Sequence, residues 1–225
     1  MAFLQTTDLT RIYQTGEVQT TALDSVTLAV NKGEFIVASG PSGSGKTTLL
    51  NLIGGLDRPT RGEVVLEGQR ISHMKERQLS KERLMRIGFI FQAYNLIPVL
   101  TALENIEYIL TLQGVDKTER EARAVKMAQH LGIDHLLHKR PTELSGGQQQ
   151  RVAVARAVVS EPALILADEP TANLDSKSGE DLMELMRVLN EEKKITFLFS
   201  SHDPMVIAKA KRHLFLKDGR IEKDA

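Results

Sequence analysis

The sequence predicts an α/β fold in which a mostly parallel sheet forms the core and a helical segment is inserted into the chain. Two observations carry this. Short, almost purely apolar runs recur without polar alternation: Ile87 to Phe91 (IGFIF), Ala163 to Ala167 (ALILA) and Ile195 to Ser200 (ITFLFS). That is the pattern of strands buried on both faces of a parallel sheet. Between them lie segments with apolar residues at helical spacing, and this alternation of types is how a parallel sheet is wound.

The elements follow in chain order. Ala22 to Val30 (ALDSVTLAV) is rich in β-branched and apolar residues and reads as a strand. Glu34 to Ser39 (EFIVAS) reads as another and runs straight into a glycine-rich loop, after which Thr47 to Leu56 reads as helix. Glu63 to Leu66, followed by Glu67-Gly68, gives a short strand and turn. From about Asn95 to Ser160 the pattern is helical. There, Thr118 and Glu121 have the spacing of a capping box, followed by Ala122, Val125, Ala128 and Leu131 before Gly132. A further helix is expected from near Gly147 to Ser160, and Leu182, Leu185, Met186 and Leu189 mark an amphipathic one. The closing HLFLKDGRIEK reads as two short strands about Asp218-Gly219.

Composition narrows the function. With 225 residues, 41% hydrophobic and 26% charged, the chain is long enough for a large core and is not disordered. Twenty-nine basic and 29 acidic side chains balance, which argues against a nucleic-acid partner held by a broad basic surface. There is no cysteine, so no disulfide, thiolate metal site or cysteine nucleophile. The longest uncharged run, Ile87 to Leu103, contains Gln92, Asn95 and Pro98 and is too short and polar to span a bilayer. The start, MAFLQTTDLTR, lacks the features of a signal peptide, so the expectation is a cytoplasmic protein whose membrane role, if any, comes through another chain.

Gly40 to Thr47 reads GPSGSGKT, the G-x-x-x-x-G-K-[ST] phosphate loop. Glycines permit the turns that aim successive backbone N–H groups at phosphate oxygens, and the following helix points its positive end at the same anion. The candidate nucleoside-triphosphate-binding residues are Gly40, Pro41, Ser42, Gly43, Ser44, Gly45, Lys46, Thr47 and Thr48. Lys46 supplies a compact charge for the β- and γ-phosphates, and the Thr47 hydroxyl suits Mg²⁺. Downstream, LILADE (Leu164 to Glu169) ends an apolar strand in two carboxylates. At the carboxyl end of a parallel strand Asp168 is placed to hold Mg²⁺ and Glu169 to act as general base toward the attacking water.

Leu144 to Gln148 reads LSGGQ. Ser145 offers a hydroxyl, Gly146 and Gly147 leave backbone N–H groups uncovered, and a helix begins there, which together make an anion site. With this motif the chain resembles the ATP-binding cassette (ABC) ATPases over essentially its whole length. The resemblance implies a P-loop core with an antiparallel β part at its N-terminal end. It implies one cassette over 1–225, with 1–92 and 161–225 as nucleotide-binding core and 93–160 as a helical subdomain carrying the signature. It further implies that Tyr13, before the first strand, stacks on adenine, and that Gln92 contacts Mg²⁺ or water and senses a membrane partner. By the same resemblance Asn173 and Asp175 in ANLD (Ala172 to Asp175) belong to a loop crossing a dimer interface, and His202 contacts the γ-phosphate. Lys46, Glu169, Gln92 and His202 are thus the implied catalytic groups, and Thr47, Gln92 and Asp168 the implied metal ligands.

The resemblance also implies head-to-tail pairing of two copies around two ATP, the signature of one (Leu144, Ser145, Gly146, Gly147, Gln148) closing on the ATP held by the other. A separate integral permease would hold the pair at the cytoplasmic face of the membrane. The strings SGPSGSGKTTLLNLIGGLDRPTRGEV, IGFIFQAYNLIPVLTALENI and RPTELSGGQQQRVAVARA resemble the bacterial lipoprotein-release, macrolide-export and cell-division group. The chain departs from the usual pattern at Ala38-Ser39, Ala172 and Ser200-Ser201, none of which removes a catalytic group. Two other function classes fit less well. A nucleotide-gated switch would not need both Glu169 and His202, and a soluble ABC protein would carry two cassettes or a long coiled-coil insertion.

Overall fold

A computed structural model describes residues 2–225. The first strand, β1 (Leu4–Thr15), pairs antiparallel with β2 (Val18–Val30). Sequence reading missed β1 and set Tyr13 ahead of the first strand, yet Tyr13 lies inside β1. The reason is physical: irregularities in the register between Thr6 and Ile12, with Asp8 at φ 47°, break the in–out alternation that would have marked a strand. Next come β3 (Phe35–Ser39), α1 (Lys46–Ile53), β4 (Arg61–Leu66) and the two-residue β5 (Gln69–Arg70). Helix α2 (Glu76–Arg86) also went unread, since Leu79 is its one buried residue and it carries no apolar stripe. It leads into β6 (Ile87–Ile90).

The helical stretch holds α3 (Ala102–Leu112), α4 (Lys117–His130) and α5 (Gly146–Val158). Helix α4 corrects the expected capping box at Thr118 and Glu121. Its N-cap is Asp116, whose Oδ1 accepts from Thr118 N at 2.9 Å. An aspartate two residues earlier satisfies the first-turn amides and draws the helix start back to Lys117. The chain ends with β7 (Leu164–Asp168), α6 (Ser176–Lys193), β8 (Thr196–Ser200), α7 (Pro204–Lys209), β9 (Arg212–Lys217) and β10 (Arg220–Asp224). The last two form the predicted hairpin, with Asp218 and Gly219 both at positive φ in its turn.

Two sheets result. One is antiparallel, in the order β2-β1-β4-β5. The other runs β10-β9-β3-β8-β7-β6, with neighbours from β9 to β6 parallel and β10 antiparallel at the edge. The fold is therefore α/β with a mostly parallel sheet and an N-terminal antiparallel part. Successive residues of the central strands feed opposite layers. Phe35, Val37, Ile165, Ala167, Phe197 and Phe199 pack with apolar residues of α3 to α6. Ile36, Ala38, Leu164, Leu166 and Leu198 pack with α1 and the antiparallel sheet. Both faces are covered, which is why these strands read as unbroken apolar runs. Three phenylalanines centre the first layer, with the Phe35 and Phe199 rings 4.6 Å apart. The site needs this rigidity, because β3, β7 and β8 all end at it.

Candidate active site

The phosphate loop leaves β3 at Ser39 and enters α1 at Lys46. Two of its glycines are dictated by close approach. A Cβ on Gly40 (φ 144°) would lie 2.0 Å from Leu216 O, and one on Gly45 (φ 101°) 2.4 Å from Ala22 O. Gly45 is also the N-cap of α1, and no side chain caps that helix. Its first-turn amides are thus left for an anion. Lys46 Nζ donates across the loop to Gly40 O (2.7 Å) and Pro41 O (3.0 Å), keeping one ammonium proton for a ligand.

Opposite the loop, β7 ends in Asp168. Thr47 Oγ1 donates to the Asp168 carboxylate, 3.0 Å from either oxygen. Ser200 Oγ, at the end of β8, donates to Asp168 Oδ1 and also accepts from Glu169 N at 3.1 Å. Glu169 N is shared with Ser200 O at 3.1 Å. Glu169 itself sits at φ 46°, a costly conformation for a non-glycine residue that its surroundings must impose. His202 Nδ1 lies 2.8 Å from Glu169 Oε1. An ionised carboxylate only accepts, so Nδ1 is the donor there and Nε2 stays available. The Glu169 side chain is 15% exposed and that of His202 73%.

These groups line one cleft of about 730 Å³: Gly40 to Thr48 on one side, Glu169 and His202 on the other, with Gln92 and Ala22 at its margins. The cleft offers backbone amides and an ammonium to an oxyanion, and a carboxylate–imidazole pair to a water. Among the described residues no three His, Asp or Glu side chains converge on a metal site. The oxygens of Thr47 and Asp168, with Gln92 beside them, nevertheless suit Mg²⁺. That ion is held by one or two protein ligands and completed by phosphate and water.

Other sequence candidates lie outside the cleft. Tyr13 donates its hydroxyl to Asp57 Oδ2 (2.8 Å), and the Arg11 guanidinium sits 4.5 Å over its ring. Ser145 is the N-cap of α5, in a capping box with Gln148: its Oγ accepts from Gln148 N at 3.3 Å and its N donates to Gln148 Oε1 at 2.9 Å. Asp175 caps α6, and its hydrogen bonds to Ser178 hold its carboxyl below the usual carboxylate range. Asn173 Nδ2 donates to Gln92 O at 2.8 Å, joining two segments that the sequence separates by 81 positions.

Sequence reading also missed contributors. Ala22 had no signal at all. Ser200 was visible only as a departure from the usual pattern. Arg156 on α5 donates to Tyr94 O (2.9 Å) and Asn95 O (2.7 Å), fixing two consecutive residues at positive φ just past Gln92. Burial lowers the Arg156 pKa.

Comparison with known proteins agrees with this geometry. The ABC transporter family matches residues 23–172. An uncharacterized ABC transporter ATP-binding protein of Thermotoga maritima is 48% identical over 219 residues, covering 97% of this chain and 93% of that protein. The macrolide export ATP-binding/permease protein MacB of Hyphomonas neptunium is 44% identical over 97% of this chain, which spans 34% of that longer protein. Among solved structures, the dimeric post-hydrolysis state of the ATP-binding cassette MJ0796 bound to ADP and Pi superposes with a TM-score of 0.93. It is 43% identical, over 99% of this chain and 97% of that one; MJ0796 comes from Methanocaldococcus jannaschii. A P-loop, a strand ending in Asp168 with Glu169 just after it, a histidine two residues past the neighbouring strand and an LSGGQ segment opening a helix, on a fold this close to a nucleotide-bound cassette, lead to one conclusion: the chain belongs to the ABC transporter family, as an ATP-binding, ATP-hydrolysing cassette.

Proposed function

We propose that two copies of this chain close head-to-tail on two ATP molecules and drive a separate integral permease at the cytoplasmic face of the membrane. The observation that carries the dimer is the separation of two anion-binding ends: the P-loop cleft lacks the LSGGQ residues, of which Ser145 is exposed and Gly146 to Gln148 half-buried at the N-terminal end of α5. In this reading the P-loop, Lys46 and Thr47 bind the phosphates, and the partner copy's signature, through its Ser145 hydroxyl and its Gly146 and Gly147 amides, completes the same site. Asn173 and Asp175 cross between the copies, and Tyr13 stacks on the base.

Within the cleft, Glu169 accepts a proton from the attacking water, and His202, oriented through Nδ1, donates from Nε2 to the γ-phosphate in its doubly protonated form. Lys46 holds positive charge where the transition state gathers negative charge. Thr47, Asp168 and Gln92 would hold Mg²⁺, which when bound neutralises charge on the β- and γ-phosphate oxygens.

A permease is supported by a groove of about 420 Å³ beside the Gln92 segment. Leu56, Phe91, Ile97, Tyr108 and Ile109 line it, and Leu56 and Tyr108 are exposed. Among the described residues no helix is long and apolar enough to cross a membrane. The likeness to a macrolide export protein and the quoted strings favour export, lipoprotein release or force transmission as the work done. Glu169→Gln tests the centre of this reading. Turnover should be abolished and ATP should trap a dimer on size exclusion; full ATPase activity in that variant would remove Glu169 as the base.

A further inference from the structure

Gln150 sits in the second turn of α5, five residues past the Ser145 cap, and is fully buried. Its Nε2 donates to Pro170 O at 2.7 Å. Its Oε1 is buried without a protein partner, as is the hydroxyl of Thr171, the residue after Pro170. Packing alone does not call for glutamine here. A buried amide whose oxygen is unmet is costly, and leucine or methionine of similar size would only trade that cost for leaving Pro170 O without its donor, so packing gains nothing from glutamine. A residue that breaks the local rule without a stability gain marks a position kept for function.

What Gln150 joins gives the function. Pro170 follows Glu169 directly, and its ring fixes φ, so the two peptides move together. Glu169 is held at φ 46° from both sides: on the amide side by Ser200 of β8, and on the carbonyl side, one residue on, by Gln150 of α5. Ser145 and Gln150 ride on one helix, about 7 Å apart along its axis. The signature end of α5 and the carboxylate of the same chain are thus linked by one rigid element and one hydrogen bond.

We infer that Gln150 is a positioning residue: it ties Glu169 to the chain's own signature helix, so that Glu169 takes its working orientation once that helix has engaged the ATP bound by the partner copy. The inference rests on the head-to-tail reading above. In such a dimer each chain hydrolyses with its own Glu169 while its signature touches the other nucleotide. Occupancy of one site therefore sets the carboxylate at the second, and the two hydrolyses are coupled through two symmetric Gln150–Pro170 bonds.

The test uses the full chain with Gln150→Met and Gln150→Leu, and Glu169→Gln as reference. Melting temperature, ATP-dependent dimerisation in the Glu169→Gln background, and steady-state ATPase against ATP concentration are measured. The wild type should be cooperative in ATP, with a Hill coefficient approaching about 2 for two coupled sites. In Gln150→Met the relief of the unmet amide oxygen offsets the loss of the Pro170 O partner, so the melting temperature should change by no more than about 2–4 °C, and half-maximal dimerisation should stay within about twofold in ATP. Meanwhile kcat should fall about ten- to a hundredfold, as for a misplaced catalytic group, and the Hill coefficient should drop toward 1. Wild-type kcat and cooperativity would overturn the inference. So would loss of folding in both variants, which would make the amide a purely structural group. If Glu169→Gln itself stays active, the assignment of the base fails; if it is inactive and Gln150→Met is wild-type, only the coupling role fails.

Discussion

At the scale of single residues, the site is held together by short-range polar contacts around Ser200. Its hydroxyl touches both acidic residues, donating to Asp168 and accepting from the Glu169 amide. Ser200→Ala should cost about 1–3 kcal/mol, the range for leaving a buried polar group without its partner, and lower kcat. Ser200→Thr, which keeps the hydroxyl, should restore both; urea denaturation and ATPase rates check this, and an unchanged kcat in Ser200→Ala would refute it. How far such a site can be read in advance depends on where its contacts lie. GPSGSGKT and LSGGQ are legible because their chemistry needs several residue types within eight positions. Ser200 and Gln150 are not. Each is a common polar residue whose meaning lies in a partner 20 to 32 positions away.

Among elements, the same rule decides which strands and helices could be foreseen. Buried strands β6, β7 and β8 announce themselves by apolar runs, whereas bulged β1 and polar α2 lack any period to read. The closing hairpin was foreseen from its Asp-Gly turn, but its anchorage was not. Arg212 on β9 donates to Asp224 on β10 (2.7 and 2.6 Å) and to Glu34 before β3 (2.8 Å), clamping the hairpin to the sheet edge. The Arg212 guanidinium holds the Asp224 carboxyl below its ordinary 3.8. A carboxyl with a depressed folded-state pKa stabilises the fold above its unfolded value and loses that contribution as pH falls through the folded value. Asp224→Asn should therefore be less stable than wild type at neutral pH by under about 1 kcal/mol, since the pair is solvent-accessible. The gap should close below pH of about 4. Urea titrations at pH 7 and pH 3 measure it; a gap independent of pH would show that the ion pair contributes nothing.

For the whole molecule, the fold sets the P-loop cleft and the LSGGQ end apart, and the proposed pairing makes them complementary half-sites. Ser145 is both helix cap and proposed phosphate donor, so alanine would confound stability with assembly. Ser145→Asp separates them. Aspartate caps as well as serine does, but its charge opposes the partner copy's γ-phosphate. Melting temperature and ATP affinity of the monomer should be kept, while ATP-dependent dimerisation and cooperative hydrolysis are lost; a dimer that still forms on ATP would exclude the signature from the phosphate site. The doubly covered sheet carries a further consequence, in time rather than energy. Strands β3, β7 and β8, sealed on both faces, should exchange their amide hydrogens only when the whole domain opens, whereas the segment from Gln92 to Val99, outside helix and strand and pinned by a few side-chain hydrogen bonds such as those of Arg156, should open locally. The sheet is thus the slow part of the protein and its connecting loops the fast part, so a catalytic cycle would run as quick loop rearrangements around a frame that outlasts many turnovers.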